Sequence, residues 1–284
     1  MNIRDMVKKG SEILKEAGLE EYRFEAEYLL AECLGIERIE VLTDGGREIE
    51  KSQEEKYLDM IKRRSKNEPA AYITGHREFM GLDFEVCEGI LIPRPDTEIL
   101  VEEIIETAKR KKLKTSVEVG LGSGCISVSL AKYTSLRCFG TDISPTAVEV
   151  SKKNAQNNGV GDKTEFYLGD VFDGLPEGRY DMIVSNPPYI RKEDMDTLMA
   201  DVRDYEPYTA LCGGDDGLDF YRRITEEGRK LLNVGGYIFY EIGYDEAEEV
   251  SDILKENGFY EIKVVKDLSG LDRVVAARKG DFDV

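Results

Sequence analysis

The chain predicts an α/β protein: a parallel sheet covered by helices on both faces, preceded by a small helical bundle. Three observations carry this. From Thr115 onward, short β-rich runs alternate with helix-length segments. The first of those runs ends in a glycine-rich loop, Gly120-Leu121-Gly122-Ser123-Gly124. The first 70 residues instead repeat their apolar positions at helical spacing.

The amino-terminal helices follow from Ile3, Met6, Val7, Ile13 and Leu14, then Phe24, Tyr28 and Leu29, then Tyr57, Met60, Ile61 and Arg64. Gly10, Gly18, Gly35, Gly45 and Gly46 punctuate them. Between Tyr72 and Val86 turn residues and β formers replace that period, so a hairpin or extended connector is expected. Pro93 and Pro95 stiffen the approach to a helix over 97–109. Strands are expected over 116–120, 137–143, 164–169, 180–185, 236–242, 261–267 and 273–278. Helices are expected over 124–133, 145–157, 218–232 and 246–257, with short loops except after Tyr189. Residues 268–272 are too few for a helix between the last two strands, which permits an antiparallel final strand in a seven-stranded sheet. The expected division is a helical substrate-recognition domain over 1–71, a β-hairpin connector over 72–90 and a catalytic domain over 91–284.

A chain of 284 residues has room for one large domain and a small one. Apolar residues at 41% and charged residues at 34% indicate a globular protein, and no run reaches the roughly 18 apolar residues of a membrane span. The start, Met1-Asn2-Ile3-Arg4-Asp5, has no apolar signal core, so a cytoplasmic location without membrane attachment is expected. The net charge of −19 is spread along the chain, −7 over residues 1–90 and −12 beyond. Neither part holds the basic stripe that a nucleic-acid backbone requires, which favours a protein or small-molecule substrate. The five cysteines are scattered without metal-ligand spacing, and His76 is the only histidine. A zinc site, a disulfide framework and a Ser-His or Cys-His nucleophile are all disfavoured, and no metal is expected.

The glycine loop sits where a strand meets a helix, and its glycines occupy positions one, three and five. A dinucleotide fingerprint needs the third glycine at position six, where this chain has Cys125. Acidic Glu118 precedes the loop, where a carboxylate can address the amino acid part of S-adenosylmethionine. Asp142, at the end of the second strand, can accept two ribose hydroxyls. Asp170, after the third strand, can accept an adenine amino group, with Val171 and Phe172 as covers for the ring.

Asn186-Pro187-Pro188-Tyr189 follows the apolar run Met182, Ile183 and Val184. A primary amide nitrogen is a poor nucleophile because its lone pair is delocalised into the carbonyl. The Asn186 side-chain oxygen and the Pro187 carbonyl can each accept one of its hydrogens, which orients the nitrogen and counters the delocalisation. The two prolines restrict the backbone that carries these acceptors. Tyr189 offers a face for a flat group to stack on. Asn186, Pro187 and Tyr189 are therefore the expected catalytic residues, with Pro188 in the same substrate grip. No strong base is needed before attack, since the proton can leave after the methyl arrives. The tetrapeptide alone fits adenine, guanine or glutamine, each of which presents an NH2.

With these motifs the chain resembles the HemK/PrmC family, the peptide chain release factor N5-glutamine methyltransferases. The resemblance runs from about Glu68 to Arg278 and includes Glu68-Pro69, Tyr72-Ile73-Thr74-Gly75, Arg77-Glu78-Phe79, the block Leu91-Ile92-Pro93-Arg94-Pro95-Asp96-Thr97-Glu98 and Asp201-Val202-Arg203-Asp204-Tyr205-Glu206-Pro207. It implies a class I S-adenosylmethionine-dependent, Rossmann-like domain with an antiparallel last strand. It also implies that Gly120, Leu121, Gly122, Ser123, Gly124, Asp142, Asp170, Val171 and Asn186 hold S-adenosyl-L-methionine, leaving S-adenosyl-L-homocysteine as product. Asn186 to Tyr189 would hold the glutamine of the Gly-Gly-Gln tripeptide of class 1 release factors, and the helical part would help grip that partner. Glu118 stands in place of the usual aspartate, Leu121 of the usual threonine, and Val171 where some relatives carry a large aromatic. Arg94 is a candidate tie between connector and catalytic domain. The rival readings are a ribosomal-protein glutamine or nucleic-acid adenine amino methyltransferase, and a noncatalytic module that senses S-adenosylmethionine.

Overall fold

In the computed structural model, which describes residues 1–281, the Asn2 side chain accepts the Asp5 N–H at 2.9 Å and starts helix α1 (Ile3–Glu16). Ile3, Met6, Gly10 and Leu14 form its buried face. Helix α2 (Tyr22–Leu34) stops at Gly35, whose φ of +64° a side chain would strain. Helices α3 (Arg38–Thr43) and α4 (Lys51–Arg64) each open with a reciprocal capping box, Glu37 with Glu40 and Glu50 with Gln53. Leu29, Leu30, Tyr57 and Ile61 fill the core of this helical unit, and the buried Tyr57 hydroxyl donates to the Ala26 carbonyl at 3.1 Å. His76 meets the Glu32 carboxylate through Nε2 at 2.9 Å.

One expectation changes here. Tyr72 to Thr74 do not begin an extended segment but finish a short helix, α5 (Ala70–Thr74), started at Pro69 and ended by left-handed Gly75. The hairpin follows as β1 (His76–Phe79) and β2 (Leu82–Glu85), joined by Met80 and Gly81 at φ +53° and +71°. Two positive values are what a twist-matched two-residue turn demands.

The second unit alternates strands and helices: α6 (Thr97–Lys111), β3 (Thr115–Val119), α7 (Cys125–Tyr133), β4 (Arg137–Asp142), α8 (Pro145–Asn157), β5 (Thr164–Leu168) and β6 (Tyr180–Ser185). The short helices α9 (Ala200–Arg203) and α10 (Tyr208–Leu211) come next, and the long connection that carries them also holds a 3₁₀ turn, Lys192–Thr197. Then follow α11 (Asp219–Leu231), β7 (Leu232–Glu241), α12 (Ala247–Glu256), β8 (Phe259–Lys266) and β9 (Asp272–Lys279). Residues 199–205, with α9, group with the helical unit, where Asp201 and Glu25 both pair with buried Arg64. Residues 282–284, the end of the expected 91–284 domain, lie outside the described residues.

The seven strands lie in the order β5-β4-β3-β6-β7-β9-β8. All pairings are parallel except those of β9, which runs antiparallel to both β7 and β8, as expected of the final strand. Residues of β6 point alternately to the two faces: Met182 and Val184 join the core under α6, α7 and α8, and Ile183 joins the core under α11 and α12. β7 begins at Leu232, earlier than the glycines suggest, because a register shift in its pairing with β6 absorbs Asn233 to Gly236. The chain leaves β3 toward β4 on one side and later returns with β6 on the other. The carboxyl ends of β3 and β6 therefore flank a topological switch point, the usual place for a ligand crevice in an open α/β sheet. Among the described residues no helix is long and apolar enough to cross a membrane.

Candidate functional site

A cavity opens at that switch point. Its wall includes Glu118, Gly120, Leu121, Gly122 and Ser123 from the end of β3, Asp142 from β4, Asp170 and Val171 after β5, and Asn186, Pro187 and Pro188 after β6. Gly124 lies one step behind this wall and starts α7 in a left-handed conformation.

The glycine loop turns through three positive φ values, +79° at Gly120, +53° at Gly122 and +77° at Gly124. A Cβ on Gly120 or Gly122 would meet no atom within 4 Å, whereas one on Gly124 would lie 2.7 Å from the Ser151 Cβ. Gly120 and Gly122 thus present backbone to open space, and Gly124 lets the loop settle on α8. The Asn154 side chain fastens the arrangement by donating to the Ser123 carbonyl at 2.9 Å and the Glu85 carbonyl at 3.0 Å. The Leu121 side chain is a core group, close enough to Gly140 that a Cβ there would fall 2.5 Å from its Cδ2.

Two carboxylates face the loop. Glu118 is buried and accepts the Ser127 N–H at 2.9 Å, in the first turn of α7. Burial pushes its carboxyl up to about 8 against that hydrogen bond, and the Asp142 charge adds to the rise. Asp142 accepts the Gly122 N–H at 2.9 Å and the Ser144 N–H at 2.8 Å, so both its oxygens are oriented by backbone. Asp170 is held by Arg223 of α11, whose Nη1 lies 2.8 and 2.9 Å from its two oxygens. Val171 is buried with φ +53°, and its carbonyl accepts the Thr141 hydroxyl. A β-branched residue in that region is strained by about 1–3 kcal/mol, so local packing holds this corner of the cavity in a disfavoured shape.

The tetrapeptide is braced from behind. Ile190 N–H donates to the Leu211 carbonyl and Gly213 N–H to the Ile190 carbonyl, each at 2.9 Å. A Cβ on Gly213 would sit 2.6 Å from the Pro188 oxygen, and one on Gly217 would sit 2.5 Å from the Tyr189 oxygen. Only glycine admits this close backbone approach. Asn186 Nδ2 donates to the Thr97 hydroxyl at 3.4 Å. Tyr189 is not in the cavity wall; its ring packs against the apolar cluster under α11 and α12, where burial raises its hydroxyl well above the usual value. Asn186, Pro187 and Pro188 are thus brought to the cavity together with the glycine loop, and the Tyr189 ring is not.

Several wall residues were not singled out as site residues by sequence reasoning. Thr141, Thr209, Phe220 and Arg223 carry no motif signal. Thr97 belongs to the Pro-Arg-Pro-Asp-Thr-Glu block, which could have flagged it. Arg94, from the same block, lines the cavity and pairs with buried Glu206 at the start of the segment leading to α10.

A parallel sheet with an antiparallel last strand, a glycine loop beneath an acidic strand end and an Asn-Pro-Pro run in one crevice define a methyltransferase of the Rossmann-like class. The model of the PrmC N-terminal domain matches residues 5–75, and that of the methyltransferase small domain matches residues 95–202. The chain is 47% identical over 283 residues to a release factor glutamine methyltransferase of Clostridium acetobutylicum, covering 99% of each chain. It is 38% identical over 272 residues to the one from Aquifex aeolicus, covering 95% of this chain and 96% of that one. A methyltransferase from Pyrococcus furiosus, 20% identical, shares the fold with a TM-score of 0.54 over 71% of this chain and 91% of that one. The chain belongs to the release factor glutamine methyltransferase family.

Proposed function

We propose that the protein transfers the methyl group of S-adenosyl-L-methionine to the side-chain amide nitrogen (N5) of the glutamine in the Gly-Gly-Gln motif of class 1 peptide chain release factors. The observation that carries this is the shared crevice: Asn186, Pro187 and Pro188 line the same cavity as the glycine loop and Asp142. The glutamine-methylating activity of the relatives, matched over nearly their full length, supports the choice of glutamine over adenine.

The cavity suits that donor. Gly120 and Gly122 leave backbone open to a ligand, and Glu118 is a buried carboxyl that a cationic ammonium would compensate. Glu118 and the loop from Gly120 to Gly124 would hold the methionine part, Asp142 the ribose hydroxyls, and Asp170 with Val171 the adenine. When bound, the donor supplies an electrophilic methyl on a sulfonium. The Asn186 side-chain oxygen and the Pro187 carbonyl would each accept one hydrogen of the substrate NH2, directing its nitrogen lone pair at that carbon. Held there, the donor would give its methyl group to that nitrogen and be left as S-adenosyl-L-homocysteine, and the surplus amide proton would pass to water. Tyr189, with its partly buried ring packed against the core, would anchor the tetrapeptide. The helical part over 1–71 would recognise the release factor and 91–284 would carry the chemistry, with 72–90 connecting them, in the cytoplasm.

The test is labelled methyl transfer onto a purified class 1 release factor, its Gln→Ala variant, a ribosomal protein and DNA. Label on the intact release factor alone is expected. Label on DNA with none on the release factor would end this reading. Asn186→Ala should abolish turnover while cofactor still binds, and unchanged turnover would remove Asn186 from its role.

A further inference from the structure

Behind Asn186 lies a buried carboxyl that the proposed reaction does not touch. Glu241 ends β7, is 2% exposed, and has an oxygen, Oε2, with no hydrogen-bond partner in the described structure. Its neighbours are specific. Burial raises its carboxyl to about 7, and the Thr97 hydroxyl, from the first residue of α6, and the Asn186 side-chain amide oppose that rise by favouring its ionised form. Asn186 Nδ2 also donates to the Thr97 oxygen at 3.4 Å. Thr97 and Glu241 are each 2% exposed, so these two groups are shut off from bulk water. Arg273 of β9 and Asp96, just before α6, are the other charges that reach Glu241; Arg273 pairs with Asp96 at 3.2 Å.

An asparagine side chain has an acceptor face and a donor face, and its environment decides which face points where. In its ionised form, which Thr97, Asn186 and Arg273 favour, the Glu241 carboxylate accepts only, and a threonine hydroxyl that donates to it is left with lone pairs for an N–H. Both partners behind Asn186 therefore select its NH2 end. The oxygen, on the opposite branch of the same planar amide, is left for the cavity that Asn186 lines. With the amide reversed, an NH2 would meet the substrate NH2, donor against donor.

We infer that Glu241 and Thr97 are positioning residues that fix the Asn186 carboxamide with its oxygen toward the substrate amide. This rests on the reading of Asn186 as the acceptor for that amide. It adds that the acceptor's direction is set from a different strand and a different helix, through the relay from Asn186 to Thr97 to Glu241. The loss of either partner leaves the cavity intact and the amide free to turn.

The experiment has two arms. In the first, kcat, KM and cofactor affinity are measured for the wild type, Glu241→Gln, Thr97→Val and Thr97→Ser with a release factor as methyl acceptor. Glu241→Gln and Thr97→Val should lower kcat about tenfold or more, with cofactor affinity and melting temperature close to wild type, and Thr97→Ser should restore most of the rate. Wild-type kcat in both Glu241→Gln and Thr97→Val would overturn the inference, and so would equal losses for Thr97→Ser and Thr97→Val. The second arm needs no substrate. In the ¹⁵N spectrum of the full chain, the Asn186 side-chain NH2 signal, assigned by its loss in Asn186→Ala, should exchange slowly with solvent and speed up in Glu241→Gln. Equal exchange in the two proteins would overturn the inference even if the natural methyl acceptor proved to be another molecule. A wild type inactive on release factor but with a protected Asn186 amide would refute the proposed substrate and leave the relay standing.

Discussion

The Gly122 N–H donates to the Asp142 carboxylate at 2.9 Å, so the acid at the end of β4 holds the loop at the end of β3. Its other oxygen takes the Ser144 N–H at 2.8 Å and shapes the start of α8. One side chain thus sets the loop and, in the proposed function, would offer its remaining lone pairs to the ribose. Asp142→Asn keeps only one acceptor oxygen for two backbone donors. It should weaken cofactor binding by about 1.5–3 kcal/mol, the usual worth of a hydrogen bond to a charged group. Asp142→Ala should weaken it further. Calorimetric titration with S-adenosyl-L-homocysteine checks this; unchanged affinity in both variants would show that Asp142 supports neither loop nor ligand.

Gly213 gives a test of the tetrapeptide's rigidity from a residue well behind the reacting atoms. Its added Cβ would meet the Gly217 oxygen at 2.5 Å, the Pro188 oxygen at 2.6 Å and the Tyr189 Cα at 2.8 Å, all of them backbone. No rotamer change can relieve such contacts, so Gly213→Ala must displace 188–189 or the 213–217 loop. A shift of about 1 Å at a positioning group can cost about a hundredfold in rate. The expected result is a large fall in kcat with cofactor affinity close to wild type. If turnover stays near wild type, the fixed tetrapeptide is not what the reaction depends on.

These contacts explain which parts of the molecule were legible in the sequence. Helix α8 was readable to the residue because Ser144-Pro145 marks its cap and first position, and β6 because an apolar run meets Pro187. The seven-stranded sheet with its antiparallel last strand could be inferred from the alternation and the short 268–272 loop. Tyr72 to Thr74 misled because Tyr, Ile and Thr favour strands, yet Pro69 and Gly75 bound a single helical turn that buries Ala71, Tyr72 and Ile73. Glu241, Arg223 and Gly213 were invisible for another reason. Their partners lie across strands or helices whose adjacency is set by the strand order, and nothing local marks them. Arg223 meets Asp170 across 53 positions.

The helical unit offers a stability test independent of the cavity. A Cβ on Gly10 of α1 would lie 2.0 Å from the Tyr57 hydroxyl oxygen and 2.9 Å from its Cζ. In an open helix Gly→Ala gains about 0.5–1 kcal/mol, but overpacking a filled core costs about 1–3 kcal/mol and should dominate here. Gly10→Ala should therefore lower the melting temperature. Tyr57→Phe removes the nearest atom but forfeits the bond to the Ala26 carbonyl. The double variant should then be more stable than the two single losses predict, and a strictly additive cycle would contradict the close packing.

Glu118 allows a prediction with a definite sign. Burial, opposed by the Ser127 N–H and reinforced by Asp142, raises its carboxyl from the ordinary 4.5 to about 8. The folded state therefore prefers the protonated form. Stability contributed by this group is fully present below the unfolded value of 4.5 and is lost as pH rises toward about 8. Glu118→Gln keeps an acceptor for the Ser127 N–H without the charge, so its melting temperature relative to wild type should climb between about pH 5 and pH 9. A cationic cofactor acts in the opposite direction, since an ammonium beside Glu118 draws it into the ionised form. Cofactor binding at about pH 6.5 should then release a proton, seen in calorimetry as a heat that changes with the ionisation enthalpy of the buffer. Glu118→Gln should abolish that release and weaken binding. A wild-type heat independent of buffer would mean that the buried acid meets no cation in the complex.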